Sequence, residues 1–387
     1  MHLRDNIIKM YFIKGVLWFM LSMPIIVLFF QEHGLSLTEI MTLQAIYSFT
    51  VALFEIPSGY LADFFGRRTC IILSAVFSFL GYLFFCFYSG FYFFLIAQVL
   101  LATGGSLISG SDSALIYDTL IQIDNKNAYT KIEGKNYAIG NFSEAIAGVF
   151  GGFLAVTSLY LPVYLQTLVL FFSIPIAFTL VEPKFKKRNR IDRSFKFISD
   201  VFNYALFDSA KLKWLIVFSS AMGLATLSIA WFAQPFFTTI NLPLAFFGII
   251  WALLNFSTGI TSYNSHLFFF TKNYKVLMYI SILMCFSYFA LGLNMSYYGL
   301  IFIFSIYLIR GVITPILRNE INVNTTSDKR ATVLSIRSFI IRISFAIFAP
   351  VLGYIAENYS LSFSFYFISL FVGMFSLLSS YKLIKLD

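Results

Sequence analysis

The chain has 387 residues, of which 59% are hydrophobic, 20% aromatic and 12% charged, with a mean hydropathy of +0.82 and a formal net charge of +9. A water-soluble domain carries roughly a quarter of charged residues to solvate its surface, so an ordinary soluble protein is excluded and most of this surface must face lipid. The basic excess is compatible with nucleic acid, anionic lipid or membrane topology, and only its placement along the chain decides among them.

Apolar stretches long enough to cross a ~30 Å hydrocarbon core as a helix recur along the whole chain. They are continuous rather than alternating, which disfavours a transmembrane barrel. In chain order they predict twelve spans, at 10–31, 38–62, 69–88, 91–120, 132–157, 160–181, 213–238, 243–270, 274–294, 296–322, 332–356 and 360–383. The first follows Arg4 and Lys9 as a signal peptide would, but it is too long and has no small-residue cleavage site, so it reads as a retained span. Between Glu182 and Lys213 nine Lys and Arg face four acids, which marks a hydrated linker with a short surface helix expected around 195–206. The expected organisation is an N-terminal six-helix bundle over 1–181, a cytoplasmic linker over 182–212 and a C-terminal six-helix bundle over 213–387.

Alternate loops differ completely in charge. One side carries Arg4 and Lys9, Arg67 and Arg68, Lys126 and Lys131, the central cluster, Lys272 and Lys275, Lys329 and Arg330, and Lys382 and Lys385; the loops of the other side carry no Lys or Arg. Positive loops stay in the cytoplasm, so both termini and the linker are expected there, in a plasma (inner) membrane protein. The basic excess then reports topology, and no nucleic-acid partner is expected. Cys70, Cys86 and Cys285 sit inside apolar segments with neither metal-site nor disulfide spacing. No metal or other cofactor is expected.

The loop between spans two and three reads Gly59-Tyr60-Leu61-Ala62-Asp63-Phe64-Phe65-Gly66-Arg67-Arg68. Gly66 suits a tight turn, Gly59 a close helix approach, and Asp63 is an anion suited to a helix N-terminus. This run resembles the G-x-x-x-D-x-x-G-[RK]-[RK] signature of the major facilitator superfamily. The resemblance implies an all-α membrane protein with twelve transmembrane helices in two pseudo-symmetric six-helix bundles that rock around a midplane site. It further implies that Arg67 pairs with an acid at the inner end of span four, here Asp118. Asp63 would meet the start of span eleven near Ala331 to Val333, the two contacts forming a conformational latch. Ala147-Gly148-Val149-Phe150-Gly151-Gly152 in span five is a degenerate match to the G-P-x-x-G-G element of antiporter branches. Its small residues suit close packing on another helix, with Pro350 and Gly353 of the symmetry mate as one partner. Many proton-coupled exporters place an arginine in span four where this chain has Leu100.

Ionisable residues inside a membrane are costly to bury and are functional candidates by default. Asp112 in span four and Arg310 in span ten come first, because spans one, four, seven and ten line the cavity of the resembling fold. A structural salt bridge or gate contact is the plain alternative for both. Glu144 and Arg342 suit a structural pair between spans five and eleven; Glu55, Arg318 and Glu320 lie towards inner ends. Trp18, Trp231, Gln234, Asn255 and Tyr307 are cavity candidates because aromatic faces bind amphipathic ligands and cations, against the alternative of plain core or lipid contact.

No phosphate-cradling G-x-x-x-x-G-K-[ST] occurs, and no His, Asp, Glu and Cys grouping has the spacing of an enzyme site. A passive scaffold would not need buried charge. The expected function is secondary active transport, with proton-coupled efflux of small amphipathic compounds ahead of gradient-driven uptake or export of a sugar, peptide or siderophore-like metabolite. The expected partners are a small-molecule substrate, protons or another coupling ion, and the bilayer, and the expected state is a monomer.

Overall fold

The computed structural model describes residues 3–183, 195–265, 274–326 and 329–386; within its helices the side chains of residues 55–61, 63, 126, 130, 195–198 and 331 lie outside the description. The described residues form fourteen α-helices and no strand. They are α1 Asp5–Trp18, α2 Ile26–Glu32, α3 Leu37–Phe65, α4 Arg67–Phe87, α5 Phe91–Gln122, α6 Tyr129–Thr157 and α7 Tyr160–Phe178. After the linker come α8 Phe195–Asn203, α9 Ala210–Thr239, α10 Ala245–Tyr263, α11 Lys275–Leu293, α12 Gly299–Val323, α13 Arg330–Asn358 and α14 Leu361–Lys385. Among the described residues twelve helical segments are long and apolar enough to cross a membrane, the first being Asp5–Glu32. The short linker helix expected around 195–206 is α8, followed by a π-turn at Tyr204–Asp208.

The first span is a broken rod. Pro24 has no N–H to donate and disfavours helical backbone before it, so α1 stops at Trp18 and a 3-10 turn at Met23–Ile25 starts α2. A backbone N–H left open at this depth would cost several kcal/mol. The Leu21 amide instead donates to the side-chain oxygen of Gln166 on α7 at 2.6 Å.

Two compact units divide the chain: Met1–Leu35, Ile46–Arg188 and Pro243–Ala252 make unit 1; Ser36–Ala45, Asn189–Leu242 and Leu253–Asp387 make unit 2. The first residues of α3 and of α10 thus group with the other unit from the rest of their helices. In unit 1 a core of Met10, Ile13, Ile71, Ala75, Leu115, Ile116 and Leu120 joins α1, α4 and α5, closed by Ala177 of α7 and Leu180 just beyond it. Unit 2 centres on α9, whose buried residues surround the helix on all sides, as expected of a helix apolar all round.

The small-residue run in α6 works differently from expectation. Its partner within unit 1 is α10: a Cβ on Gly248 would lie 2.1 Å from the Gly148 carbonyl oxygen, and one on Gly152 would lie 2.7 Å from the Gly248 nitrogen. Gly151 faces the break in the first span, where an added Cβ would meet the Leu21 carbonyl oxygen at 1.8 Å. The symmetry-mate glycine, Gly353, packs instead on Thr38 and Met41 of α3, inside unit 2. Glu357 at the end of α13 accepts from the Thr38 N–H at 3.1 Å and from its hydroxyl. Ser36 and Glu39 cap the same helix start reciprocally, at 2.9 and 3.2 Å.

Candidate functional site

In unit 1 the loop between α3 and α4 is tied down by backbone geometry and charge. Gly66 has φ +91°, a conformation L side chains rarely adopt, and a Cβ there would press on Glu182 at 3.1 Å. The Glu182 carboxylate accepts the first N–H groups of α4, Arg67 at 2.9 Å and Arg68 at 2.7 Å. An anion at that position also suits the positive end of the helix dipole. The Arg67 guanidinium donates to the Ala114 carbonyl at 2.6 Å and pairs with Asp118. Arg68 donates to the Phe178 carbonyl at 2.8 Å. Asn6, fully buried, bonds Thr119 at 3.1 Å and both backbone groups of Val181 at 2.8 and 2.9 Å; Lys9 donates to Thr179 O at 2.7 Å. The open carbonyls at the end of α7 are thereby met from α1 and α4. The Arg67–Asp118 pair lies wholly within unit 1. The other latch candidates, Gly59 and Asp63, and also Glu55, have side chains outside the described residues, as does Ala331.

One to two turns deeper, α1, α5 and α6 bring together a second polar cluster. Lys14 of α1 reaches Asp112 Oδ2 of α5 at 3.1 Å, with the two side chains 14% and 10% exposed. The same ammonium stands 4.9 Å from the Trp18 ring centroid, one helical turn along α1. Gly140 of α6 keeps this corner open, since a Cβ there would contact Trp18 at 3.2 Å and Lys14 at 3.4 Å. Ser113 links two acids, its N–H donating to Asp112 Oδ1 at 2.7 Å and its hydroxyl donating to Glu133 Oε1. Asp112 and Trp18 were singled out from sequence; Lys14, Ser113 and Glu133 were not. For Lys14 the available signal was a lysine inside an apolar run, four residues before a tryptophan and hence on the same helix face.

In unit 2 the candidate charges meet tyrosines. Arg310 of α12 lies with its guanidinium carbon 5.8 Å from the Tyr307 ring centroid, and Tyr307 is fully buried with its carbonyl accepting from Thr258 at 3.0 Å. Glu320 accepts the Tyr274 hydroxyl at 2.7 Å, both residues being buried. Gln234 is buried in α9, while Trp231 and Asn255 are half-buried. Arg318 and Arg337 stand within electrostatic reach of each other on α12 and α13. Glu144 is half-buried in unit 1 and Arg342 half-buried in unit 2.

Twelve candidate spans among the described residues, a charged loop between the second and third of them, and ionisable residues set within apolar helices define a multi-pass membrane protein. The family model for the Major Facilitator Superfamily matches residues 10–319, and the chain belongs to that superfamily. The chain is similar to an uncharacterized MFS-type transporter, YxaM, of Bacillus subtilis (strain 168), with 25% identity over 242 residues; the match spans 60% of this chain and 59% of that relative's length. Among solved structures it resembles the nucleoside transporter NupG, with TM-score 0.79, 13% identity and 100% of this chain and 99% of that one covered. It also resembles a D-xylose-proton symporter, with TM-score 0.75, 13% identity and 99% and 98% covered. A bacterial homolog of the human lysosomal transporter Spinster, in an inward-facing, unoccupied conformation, matches with TM-score 0.72, 15% identity and 99% and 98% covered. At such identities these likenesses establish the fold.

Proposed function

We propose that this superfamily member is a proton-coupled exporter of small amphipathic compounds, working as a monomer by alternating access in the plasma membrane with both termini cytoplasmic. The supporting observation is the corner of Lys14, Trp18 and Asp112. A carboxylate and an aromatic face that together hold one ammonium, 3.1 Å and 4.9 Å away, have the chemistry to hold another. An amphipathic amine entering this corner would displace the lysine head from Asp112 and rest its apolar body on Trp18. The lysine stem lets its head group swing aside to water, so the exchange leaves no buried charge unpaired.

Flux of a panel of amines, neutral drugs, nucleosides, sugars and peptides in proteoliposomes, with a pH gradient of either sign, tests this reading. Amines moving against an imposed proton gradient, and loss of that flux in Asp112→Asn, are expected. Transport of neutral metabolites alone would overturn it. That outcome would favour a second reading, uptake or export of a specific metabolite, which draws support from the nucleoside and sugar transporters that share the fold. In that case Arg310 over Tyr307, with Trp231, Gln234 and Asn255, would be the first residues to substitute.

A further inference from the structure

Within unit 2 the chain reverses between α12 and α13, and the reversal fixes which residues meet along the seam. Arg330, at the start of α13, reaches back over the end of α12. Its Nε donates to the Asn322 carbonyl at 3.1 Å and one Nη to the Thr325 carbonyl at 3.4 Å. Arg337 comes two helical turns after Arg330 and so lies on the same face of α13, towards α12. Across the seam stands Arg318 of α12, within electrostatic reach of Arg337. Asn322 follows Arg318 by one turn and shares its face.

Two guanidiniums therefore face each other with no anion to share. Arg318 is exposed, whereas Arg337 is half-buried and its Nε is buried without a hydrogen-bond partner. Among the described residues neither side chain takes part in an ion pair or a hydrogen bond. The acid closest in sequence, Glu320, is turned to Tyr274, whose hydroxyl it accepts at 2.7 Å. The Asn322 side-chain oxygen is also buried with no partner. A guanidinium carries five N–H donors and, unlike a lysine, does not shed its charge when buried. Open donors at depth and a like charge opposite both oppose folding, and an anion seated between the two arginines relieves both at once. A charge close to minus two matches the pair, which a phosphate group supplies and a single carboxylate does not. Its oxygens also accept paired N–H donors from planar forks. The Asn322 oxygen, an acceptor, suits an O–H or N–H carried beside the phosphate.

We propose that Arg318 and Arg337 form a binding site for the phosphate group of a phosphomonoester, with Arg318 at its mouth, Arg337 at its floor and Asn322 accepting a neighbouring donor. The site lies wholly within unit 2 and is independent of the export reading above. A membrane protein meets this chemistry from two sources, a dissolved phosphomonoester and the headgroup of phosphatidic acid, and the exposed Arg318 is open to either.

The test follows thermal unfolding of the full chain by tryptophan fluorescence. In detergent, inorganic phosphate is expected to raise the unfolding temperature above that in chloride of equal ionic strength. In vesicles, the comparison is phosphatidylcholine alone against phosphatidylcholine with phosphatidic acid. A rise with phosphate assigns the dissolved source, and a rise with phosphatidic acid alone assigns the lipid. Either rise is expected to vanish in Arg318→Gln and Arg337→Gln and to persist in Lys213→Gln, which removes an exposed charge of the same unit. In chloride, Arg318→Gln is expected to unfold at a higher temperature than the wild type, because the like charge is gone. Should Arg337→Gln fail to fold, Arg337→Lys keeps the charge without the fork and is expected to weaken the phosphate midpoint roughly ten-fold. A wild type indifferent to both probes, a rise that survives both glutamine variants, a rise lost equally in Lys213→Gln, or an unchanged midpoint in Arg337→Lys overturns the proposal.

Discussion

In unit 1 two cations meet carboxylates: Lys14 reaches Asp112 at 3.1 Å, and Arg67, at the start of α4, pairs with Asp118. In unit 2 the corresponding charges meet tyrosines, Arg310 over the Tyr307 ring at 5.8 Å and Glu320 against the Tyr274 hydroxyl at 2.7 Å. The difference matters because an acid–base pair cancels its own field and can be opened by a proton or by a substrate charge. A charge held by a phenol ring or a phenol hydroxyl is oriented but keeps its full sign.

The largest test of this contrast is Arg67→Ala, which leaves Asp118 without its cation. Breaking one side of a mostly buried pair should lower unfolding stability by about 3 kcal/mol, read as a shift in thermal unfolding in detergent. The double variant with Asp118→Ala should recover much of that loss. Next comes Lys14→Met, expected to cost roughly 2 kcal/mol by stranding Asp112 and, by removing the group an amine must displace, to tighten amine binding, with Lys14→Arg closer to the wild type. Glu320→Gln keeps a hydrogen-bonding partner for Tyr274 and loses only its charge assistance, about 1 kcal/mol; a loss as large as that of Arg67→Ala would break the comparison. Arg310→Lys is expected to be smallest, under about 0.5 kcal/mol, because a lysine head can still rest on the Tyr307 face.

Much of this architecture is legible in the sequence because membrane burial writes it in long unbroken runs. The segments from Phe91 to Gln122 and from Ala210 to Thr239 need no partner to be recognised. The Arg67–Asp118 pair was legible through a motif that fixes two positions relative to two helix ends. The Lys14–Asp112 pair was not: 98 residues separate its members, and only the packing of α1 on α5 brings them together. Glu133 stood at the edge of a predicted span, where an acid reads as a solvated cap, and only its contact with Ser113 draws it inward. Glu182 stands in the sequence as the first residue of the linker, and nothing local marks it as the acceptor of the Arg67 and Arg68 N–H groups. The run of small residues in α6 announced a close crossing but could not name α10 as the partner, because backbone approach carries no side-chain code.

The interruption at Leu21 divides the first span into two levers joined by a swivel. The second lever, α2, is wedged by Phe29 and Phe30 among Phe85 and Phe94, with ring centroids 5.3 to 6.2 Å apart. The first lever, α1, carries Lys14 and Trp18. The joint is held by a glutamine side chain and a bare glycine surface rather than by the helical ladder, so the direction in which α1 presents its lysine is set by α6 and α7 and not by the helix that follows it.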